Sequence, residues 1–343
     1  MRFVLISDRF YTTRGGVEYH ATGIADELVR RGHTVDWIQR KDKVPRYLGN
    51  RADFVLVEGI ERARLWQVYR KLGKLAKKKL VIFTHGSLME FTKERELERS
   101  GFRPNPILHG AKKIIDIVLT LRIFRSSAAL VVLSNTEAQD LITNYPQIEA
   151  KVFVIPNYIQ INTNPEFAQV PDGDTASVEM PPFEFFFSLG RIEKRKNFGA
   201  ALEAASAIGV GMVLAGKDNG DLHELKRMAR HLNFSKFFYV GEVDDRAKYA
   251  YIRRSLGVVI SSYLEGVPIL ALESLALGRP VVCTNLNYID DWKGLLRCEP
   301  SAHSIATAVL KLRTKPPSLK SVIVPTASVA VDKLEGLLKS LGA

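Results

Sequence analysis

The sequence predicts an α/β protein with two domains, each a parallel β-sheet flanked by helices. The chain has 343 residues, too many for one ordinary hydrophobic core and suitable for two domains. Short β-branched runs alternate with longer helical patterns in both halves, which is typical of parallel sheets covered by helices. Residues 162–182 separate the halves; they are rich in Pro, Asn, Asp and Gly and lack periodicity, so we predict a linker there.

Eleven short apolar runs are predicted strands. Those of the first half are residues 3–7, 34–39, 54–58, 80–84, 129–134 and 151–155, and those of the second half are 185–189, 211–215, 237–240, 257–261 and 280–284. Helical patterns begin at Phe198, Asp221, Asp245 and Val267, and the amphipathic tail 329–341 predicts a closing helix. We therefore divide the chain into domains 1–165 and 166–325, with residues 326–343 completing the first.

Composition excludes several classes of protein. Hydrophobic residues make up 46% and charged residues 25%, as in a globular protein. Only Cys283 and Cys298 are present, so two free thiols are expected and not a disulfide framework. We find no secretory signal and no membrane span, which predicts a cytoplasmic location.

The positive charge is concentrated in the first half. The net charge is +12, and residues 1–165 carry 27 Lys and Arg against 17 Asp and Glu, a net of +10. An acidic substrate, an anionic membrane or a nucleic acid could account for this excess. Nucleic acid is not predicted as a partner because no nucleic-acid module is recognised.

The segment 265–273 (EGVPILALE) carries the strongest chemical pattern. Glu265 follows a predicted buried strand and Pro268 suits the start of a helix, which places Glu273 near that helix's first turns. This edge of an open α/β sheet binds ligands, and a helix N-terminus attracts phosphate. A nucleotide-binding site is therefore expected here.

These residues and five further segments resemble family 4 retaining glycosyltransferases. Residues 265–282 resemble that family's Glu-x7-Glu signature, and the others occur in the family's order: 14–35 (with RGGVE and LVRRGHTV), 84–86 (THG), 134–141 (SNTEAQDL), 155–157 (IPN) and 190–197 (GRIEKRKN). The resemblance implies a GT-B fold, in which two Rossmann-like domains face an interdomain cleft. The first domain would bind the acceptor and the second the nucleotide-sugar donor.

The resemblance also implies roles for individual residues. Glu265 and His85 would contact the transferred sugar and serve as catalytic residues. Arg191 and Lys196 would hold the donor diphosphate, whose charge then needs no metal ion. Glu273 would bind the donor ribose. The remaining donor-site positions are Gly266, Val267, Gly241, Ser261 and Ser262, and Gly15 and Gly16 would form an acceptor or phosphate loop.

The chain departs from the family pattern in two places. Tyr158 stands where the Pro-Asn-Gly motif has glycine, and residues 285–288 (NLNY) replace an expected glycine-rich turn. Asp172 and Asp174 resemble an acid-x-acid metal site, but a polar turn in the linker explains them equally well. We therefore expect no metal and no cofactor.

The predicted function is metal-independent, retaining transfer of a sugar from a nucleoside diphosphate sugar to a hydroxyl acceptor, lipid-linked or part of a glycan. A nucleotide-sugar epimerase and a non-catalytic sugar-nucleotide binding protein stay open as alternatives. A dehydrogenase is disfavoured because no Gly-x-Gly-x-x-Gly follows a strand. Residues 62–79 and 112–125 could form basic amphipathic helices, either packed on the sheet or lying on the inner face of an anionic membrane.

Overall fold

A computed structural model describes residues 1–7, 16–39, 42, 52–59, 62–72, 77–86, 111–159, 178–317, 319 and 322–342. Gly15, Asp172 and Asp174 lie outside these described residues, as does most of the predicted linker.

The first half of the chain forms a six-stranded parallel sheet. Its strands are β1 (Arg2–Ser7), β2 (Thr34–Ile38), β3 (Phe54–Glu58), β4 (Leu80–Phe83), β5 (Ala129–Val132) and β6 (Val152–Val154), in the order β2-β1-β3-β4-β5-β6. The described helices of this half are α1 (Gly16–Arg30), α2 (Arg62–Lys71), α3 (Ala111–Ser126) and α4 (Asn135–Asn144), and a 3₁₀ turn spans Pro146–Lys151. The fully buried strands explain the continuous apolar runs, because helices cover both faces of the sheet.

The second half repeats this plan. Its strands are β7 (Phe185–Leu189), β8 (Gly211–Ala215), β9 (Phe237–Gly241), β10 (Val258–Ile260), β11 (Val281–Thr284) and β12 (Leu295–Cys298), in the order β12-β11-β10-β7-β8-β9. Its helices are α5 (Phe198–Ile208), α6 (Leu222–His231), α7 (Asp245–Arg254), α8 (Ile269–Ala276) and α9 (Ala302–Thr314), with a 3₁₀ turn at Lys194–Lys196. The predicted class, two α/β domains with parallel sheets, is confirmed.

The last helix, α10 (Ala327–Ser340), returns to the first sheet. Its apolar side, including Val331 and Leu334, packs in the same core as Ile24 and Leu28 of α1. Arg31 pairs with Asp332 at 2.6 Å and with Glu335 at 3.3 Å. The chain thus crosses between the halves twice, and the two crossings touch where the Ile159 amide donates to the Pro325 carbonyl at 3.0 Å.

Three elements differ from the sequence prediction. Strand β12 and helix α9 were not predicted, and α8 begins at Ile269 and not at Val267, because Pro268 has the extended backbone of a helix cap. Both cysteines are free and buried, as expected, and burial raises the pKa of each thiol to about 12. No described helix is both long enough and apolar enough to cross a membrane.

Candidate functional site

The strand order of the second sheet reverses between β7 and β10, and the principal site residues follow these two strands. Crossovers leave β7 toward β8 on one side and β10 toward β11 on the other, which opens a crevice at their carboxyl ends. Arg191 and Lys196 follow β7, and Ser262 and Glu265 follow β10. The sheet therefore brings together side chains that are 69 positions apart, as Lys196 and Glu265 are.

Lys196 and Glu265 form an ion pair at this crevice. The Lys196 ammonium donates to the Glu265 carboxylate at 2.5 Å, and the Ser262 hydroxyl donates to its other oxygen at 2.9 Å. Burial acts to raise the pKa of Glu265, but attraction to Lys196 and Arg195 and these hydrogen bonds prevail and lower it. Glu265 is therefore an ionised carboxylate held in one orientation.

The turn that carries Lys196 is anchored from several sides. The Ser261 hydroxyl donates to the Lys196 carbonyl at 2.7 Å, and the Arg195 guanidinium donates to the Leu264 carbonyl at 2.8 Å. Arg195 thus connects the loop after β7 to the loop after β10. A side chain at Gly190 would crowd the Lys196 side chain, since its Cβ would lie 3.1 Å from Lys196 Cε.

Arg191 differs from Lys196 in its exposure. Its side chain is 59% exposed and lies 3.4 Å from the Glu193 carboxylate. An exposed pair of this kind is weak, so the Arg191 guanidinium can leave Glu193 for a stronger anion. The two predicted cations therefore both follow the end of β7 but differ in how firmly they are held: Lys196 is held by Glu265, and Arg191 is accessible.

Glu273 was expected to face the cleft, but it is buried, with only 3% of its surface exposed. Lys248 donates to its carboxylate at 2.6 Å and the Tyr249 hydroxyl does so at 3.3 Å. Burial raises the pKa of Glu273. The pKa of Lys248 is also raised, because attraction to Glu273 and Asp245 outweighs the opposing effect of burial. Glu273 is therefore also a structural partner of Lys248.

The first domain brings His85 to the same region. His85 follows β4 in a left-handed conformation (φ 46°), which is strained for a residue with a side chain. Glu137 holds the turn, since its carboxylate accepts from the Thr84 hydroxyl at 2.6 Å and the Gly86 amide at 2.7 Å. The His85 ring lies against the buried Glu58 carboxylate, with Nε2 3.4 Å from Oε2.

The His85 turn touches the Glu265 loop through two glycines. A Cβ on Gly86 would lie 3.5 Å from Gly266 Cα, and a Cβ on Gly266 would lie 3.4 Å from the His85 carbonyl oxygen. Val267 packs in the cores of both domains. Its backbone carbonyl accepts a hydrogen bond from the side-chain amide of Asn157 at 3.0 Å. The structure therefore joins His85, Gly266, Val267 and Glu265 in one place.

Two predicted glycines lie at the margins. A Cβ on Gly16, at the start of α1, would lie 3.7 Å from Ile269 of α8, so this end of the glycine loop faces the helix after Glu265. Gly241 ends β9 with φ 74°, and its carbonyl accepts from the Gly216 amide at 2.7 Å. Since β8 lies between β7 and β9, Gly241 lies two strands away from the residues that follow β7.

The departure at residues 285–288 has a structural role. The Tyr288 amide donates to the carbonyls of Glu265 and Gly266, each at 3.2 Å, and its hydroxyl donates to Asp140 of the first domain. Asp290 accepts from the amides of Asn135 and Thr136 at 3.0 and 2.8 Å, at the start of α4. The segment fastens the Glu265 loop to the opposite domain.

His20, Glu58 and Lys248 were not singled out from the sequence. His20 lies on the apolar face of α1, and Glu58 ends an apolar strand. A polar residue within an apolar pattern is the signal in the sequence that could have identified both as buried polar residues. The ligand atoms of His20, Glu58 and His85 all lie within 4.8 Å of one another, close enough to hold a metal ion.

Removing Glu273 will destabilise the fold. We expect Glu273→Ala to cost about 3 kcal/mol, because it leaves the Lys248 ammonium, 12% exposed, without its main partner. Glu273→Gln keeps a hydrogen-bond acceptor and will cost less. Melting temperatures measure the difference, with Glu224→Ala, which breaks the exposed Arg227 pair, as the control without effect. An unchanged melting temperature for Glu273→Ala would contradict the pairing.

Comparisons with known proteins agree with this geometry. Residues 176–324 match the model of the family glycosyl transferases group 1. No curated protein sequence matches the chain.

Similar solved structures span nearly the whole chain. Sucrose-phosphate synthase from Thermosynechococcus elongatus is 15% identical with a TM-score of 0.64, covering 99% of this chain and 96% of its own. HepE from Anabaena in complex with UDP is 14% identical with a TM-score of 0.63, covering 99% and 97%. WaaG, a glycosyltransferase involved in lipopolysaccharide biosynthesis, is 14% identical with a TM-score of 0.63, covering 99% and 95%. The chain thus has the GT-B fold of these glycosyltransferase structures, and its residues 176–324 match the family glycosyl transferases group 1.

Proposed function

We propose that this protein is a retaining, metal-independent glycosyltransferase of family 4 that moves a sugar from a nucleoside diphosphate sugar to a hydroxyl acceptor. The observation that carries the proposal is the Lys196–Glu265 pair at the carboxyl ends of β7 and β10, opposite the His85 turn. A fixed cation and a fixed carboxylate in contact match the two charges of the reaction. The leaving diphosphate is negative, and the reacting sugar becomes positive.

The donor diphosphate would bind to Lys196 and Arg191. Lys196 is held in place by Glu265, and Arg191 is exposed beside it. When the diphosphate binds, it competes with Glu265 for the Lys196 ammonium, and the carboxylate becomes available to the sugar. Lys196, which is held, and Arg191, which is accessible, would together replace a divalent metal in stabilising the leaving group.

The transferred sugar would lie between Glu265 and His85. Glu265 would hold its hydroxyls and stabilise the positive charge that develops at the anomeric carbon. Departure of the diphosphate and attack of the acceptor on the same face would retain the anomeric configuration. Glu273 would bind the ribose from the first turns of α8, with Lys248 fixing its carboxylate. HepE, which is similar in fold, binds UDP, so uridine diphosphate sugars are the first donors to test.

Two other activities are distinguishable by direct assays. An epimerase would convert a nucleotide sugar in the absence of any acceptor, whereas a binding protein would be stabilised by ligand without turnover. The ionised Glu265 carboxylate at the sugar position favours a transferase over both. A thermal-shift screen with nucleoside diphosphates identifies the base, because a ligand that binds the native state raises its stability.

Replacing Glu265 by Gln separates catalysis from binding. We expect Glu265→Gln to lower kcat roughly 100-fold, because the charge that stabilises the transition state is lost. The same variant will bind the nucleoside diphosphate more tightly, since the diphosphate no longer competes with a carboxylate for Lys196. Glu273→Gln, by contrast, will mainly raise the donor KM.

Initial rates and calorimetric titration with the diphosphate measure these effects, after melting temperatures have shown that both variants are folded. A Glu265→Gln enzyme with normal kcat would assign the carboxylate another role.

Turnover will not depend on a divalent metal. Because Lys196 and Arg191 supply the positive charge, activity will persist in excess chelator. The measurement is the initial rate with EDTA, compared with the rate after magnesium or manganese is added back. Complete loss with EDTA and recovery with metal would overturn metal independence.

We also propose that the basic first domain meets an anionic membrane from the cytoplasmic side and takes a lipid-linked or acidic acceptor there. Helix α2 packs its apolar side in the core through Leu65, Val68 and Tyr69. Helix α3 buries Ile123 and Phe124 but leaves Ile115 and Val118 57% and 56% exposed. Exposed apolar residues on a basic helix favour contact with a membrane.

Binding to vesicles will therefore need both charge and α3. We expect binding to phosphatidylserine-containing liposomes that weakens with salt, because salt screens surface charge. The double change Ile115→Ser and Val118→Ser will reduce it at constant charge, and Val29→Ser on α1, also exposed, is the control. Sedimentation with vesicles measures binding. If all variants bound the vesicles equally well, the membrane contact would not involve the exposed residues of α3.

A further inference from the structure

A buried cluster of three ionisable residues lies beneath the His85 turn. Glu58 ends β3, next to β1, where the strand order of the first sheet reverses. His20 extends from α1, and its Nδ1 lies 2.8 Å from Glu58 Oε2. His85 Nε2 lies 3.4 Å from the same oxygen, and the two imidazole rings meet edge to face with centroids 5.0 Å apart. One carboxylate oxygen therefore faces two histidines.

The surroundings decide which histidine nitrogens carry protons. His20 and Glu58 are fully buried. Burial lowers the pKa of His20 despite its attraction to Glu58, so His20 is neutral at pH 7. Burial alone would raise the pKa of Glu58, but the adjacent imidazoles of His20 and His85 lower it, so the carboxylate is ionised. An ionised carboxylate can only accept hydrogen bonds, so the proton of neutral His20 lies on Nδ1 and is donated to Glu58.

His20 is fixed by its neighbours. The Tyr158 hydroxyl donates to the His20 carbonyl, and the rings of Tyr158 and Phe83 lie 4.9 and 5.4 Å from the His20 ring. Tyr158, where the family has glycine, therefore fills the space behind His20. His20 Nε2 and His85 Nε2 are both buried without a hydrogen-bond partner. For His20 this is tolerable, because that nitrogen is unprotonated. His85 Nε2 faces Glu58 Oε2 at 3.4 Å, and a small rotation of the ring would let it donate to that oxygen.

We propose that Glu58 and His20 are positioning residues that hold His85 with its proton on Nε2, so that Nδ1 accepts a hydrogen bond from a hydroxyl of the bound sugar. This inference rests on the proposed function for the identity of the ligand. Its geometric basis is the shared Glu58 oxygen and the strained His85 backbone, held by Glu137 at Thr84 and Gly86. The role of Glu58 is to select one tautomer and one ring orientation.

A metal ion held by the three residues is the competing explanation. The His20–Glu58 separation of 2.8 Å is that of a hydrogen bond with a proton between the two atoms. Around a tetrahedral zinc, with bonds of about 2.0 Å, ligand atoms lie farther apart, at roughly 3.3 Å. We therefore commit to the hydrogen-bonded arrangement, and metal content becomes an outcome of the test.

The first test needs no enzymatic activity. Nitrogen NMR of protein labelled at its seven histidines reports which ring nitrogen is protonated in each. At pH 7.5 (a value chosen at roughly one unit above the usual histidine pKa) we expect His85 protonated on Nε2 and His20 on Nδ1. In Glu58→Gln, His85 will lose this preference and populate both tautomers. Glu335→Gln is the matched control, because Glu335 pairs with His33 at 2.9 Å on the surface.

The second test asks whether Glu58 acts through His85. We expect Glu58→Gln to lower kcat about tenfold with little change in donor KM, and to have no further effect in a His85→Asn background. Asparagine tolerates the left-handed backbone at this position. A merely structural role would lower the melting temperature and reduce kcat equally in both backgrounds.

Each outcome has a defined meaning. His85 protonated on Nδ1 in the wild type, additive effects of the two substitutions, or one equivalent of zinc that resists dialysis would overturn the proposal. If Glu58→Gln does not fold, the wild-type spectrum alone decides the tautomers. If the protein turns over no nucleotide sugar, the proposed function fails while the NMR result still tests the positioning of His85.

Discussion

The contact between Gly86 and Gly266 is the constraint on which the site depends. Each glycine lies in a loop that leaves the carboxyl end of a parallel strand, one in each domain, and a Cβ on either glycine would already be in van der Waals contact with the other loop. The close approach places His85 next to Glu265 and lets Tyr288 and Asn157 fasten the same loops with hydrogen bonds. Two domains, each with its own sheet and hydrophobic clusters, thereby form one site, and hydrogen bonds between their loops hold it.

Charge pairing beneath the surface is the second feature of the site. Lys196 is paired with Glu265 and Lys248 with Glu273, and neutral His20 donates a hydrogen bond to the Glu58 carboxylate. Glu273, His20 and Glu58 are buried, whereas Lys196 and Glu265 are partly exposed. Removing a charge from water is costly, and a partner in contact offsets much of that cost. The pairs differ in accessibility. Glu265 keeps about a quarter of its side chain exposed, at 23%, whereas the Glu273 and Glu58 pairs are deeper and serve to orient their neighbours.

The local parts of the structure were predictable and the long-range ones were not. Apolar runs such as Phe185–Leu189 predict strands, because buried parallel strands are continuously apolar. Leu295–Cys298 was missed because an arginine interrupts a run of only four residues at the edge of the sheet. Motif resemblance predicted Lys196, Glu265 and His85 as site residues, and the structure brings them to one region. It could not identify Lys248 or His20 as partners, because those pairings arise from tertiary packing between residues 25 and 38 positions apart.

The two cysteines, described above as buried free thiols, make this chain convenient for spectroscopy. Cys283 and Cys298 are the only cysteines of the sequence, both belong to the second sheet, and thiolate, the reactive form, is scarce at neutral pH when the pKa is about 12. A thiol introduced at an exposed position of each domain would therefore take up a fluorophore selectively, with no need to remove the native residues. The distance between two such labels would then report the separation of the two domains, while the native core stays unaltered.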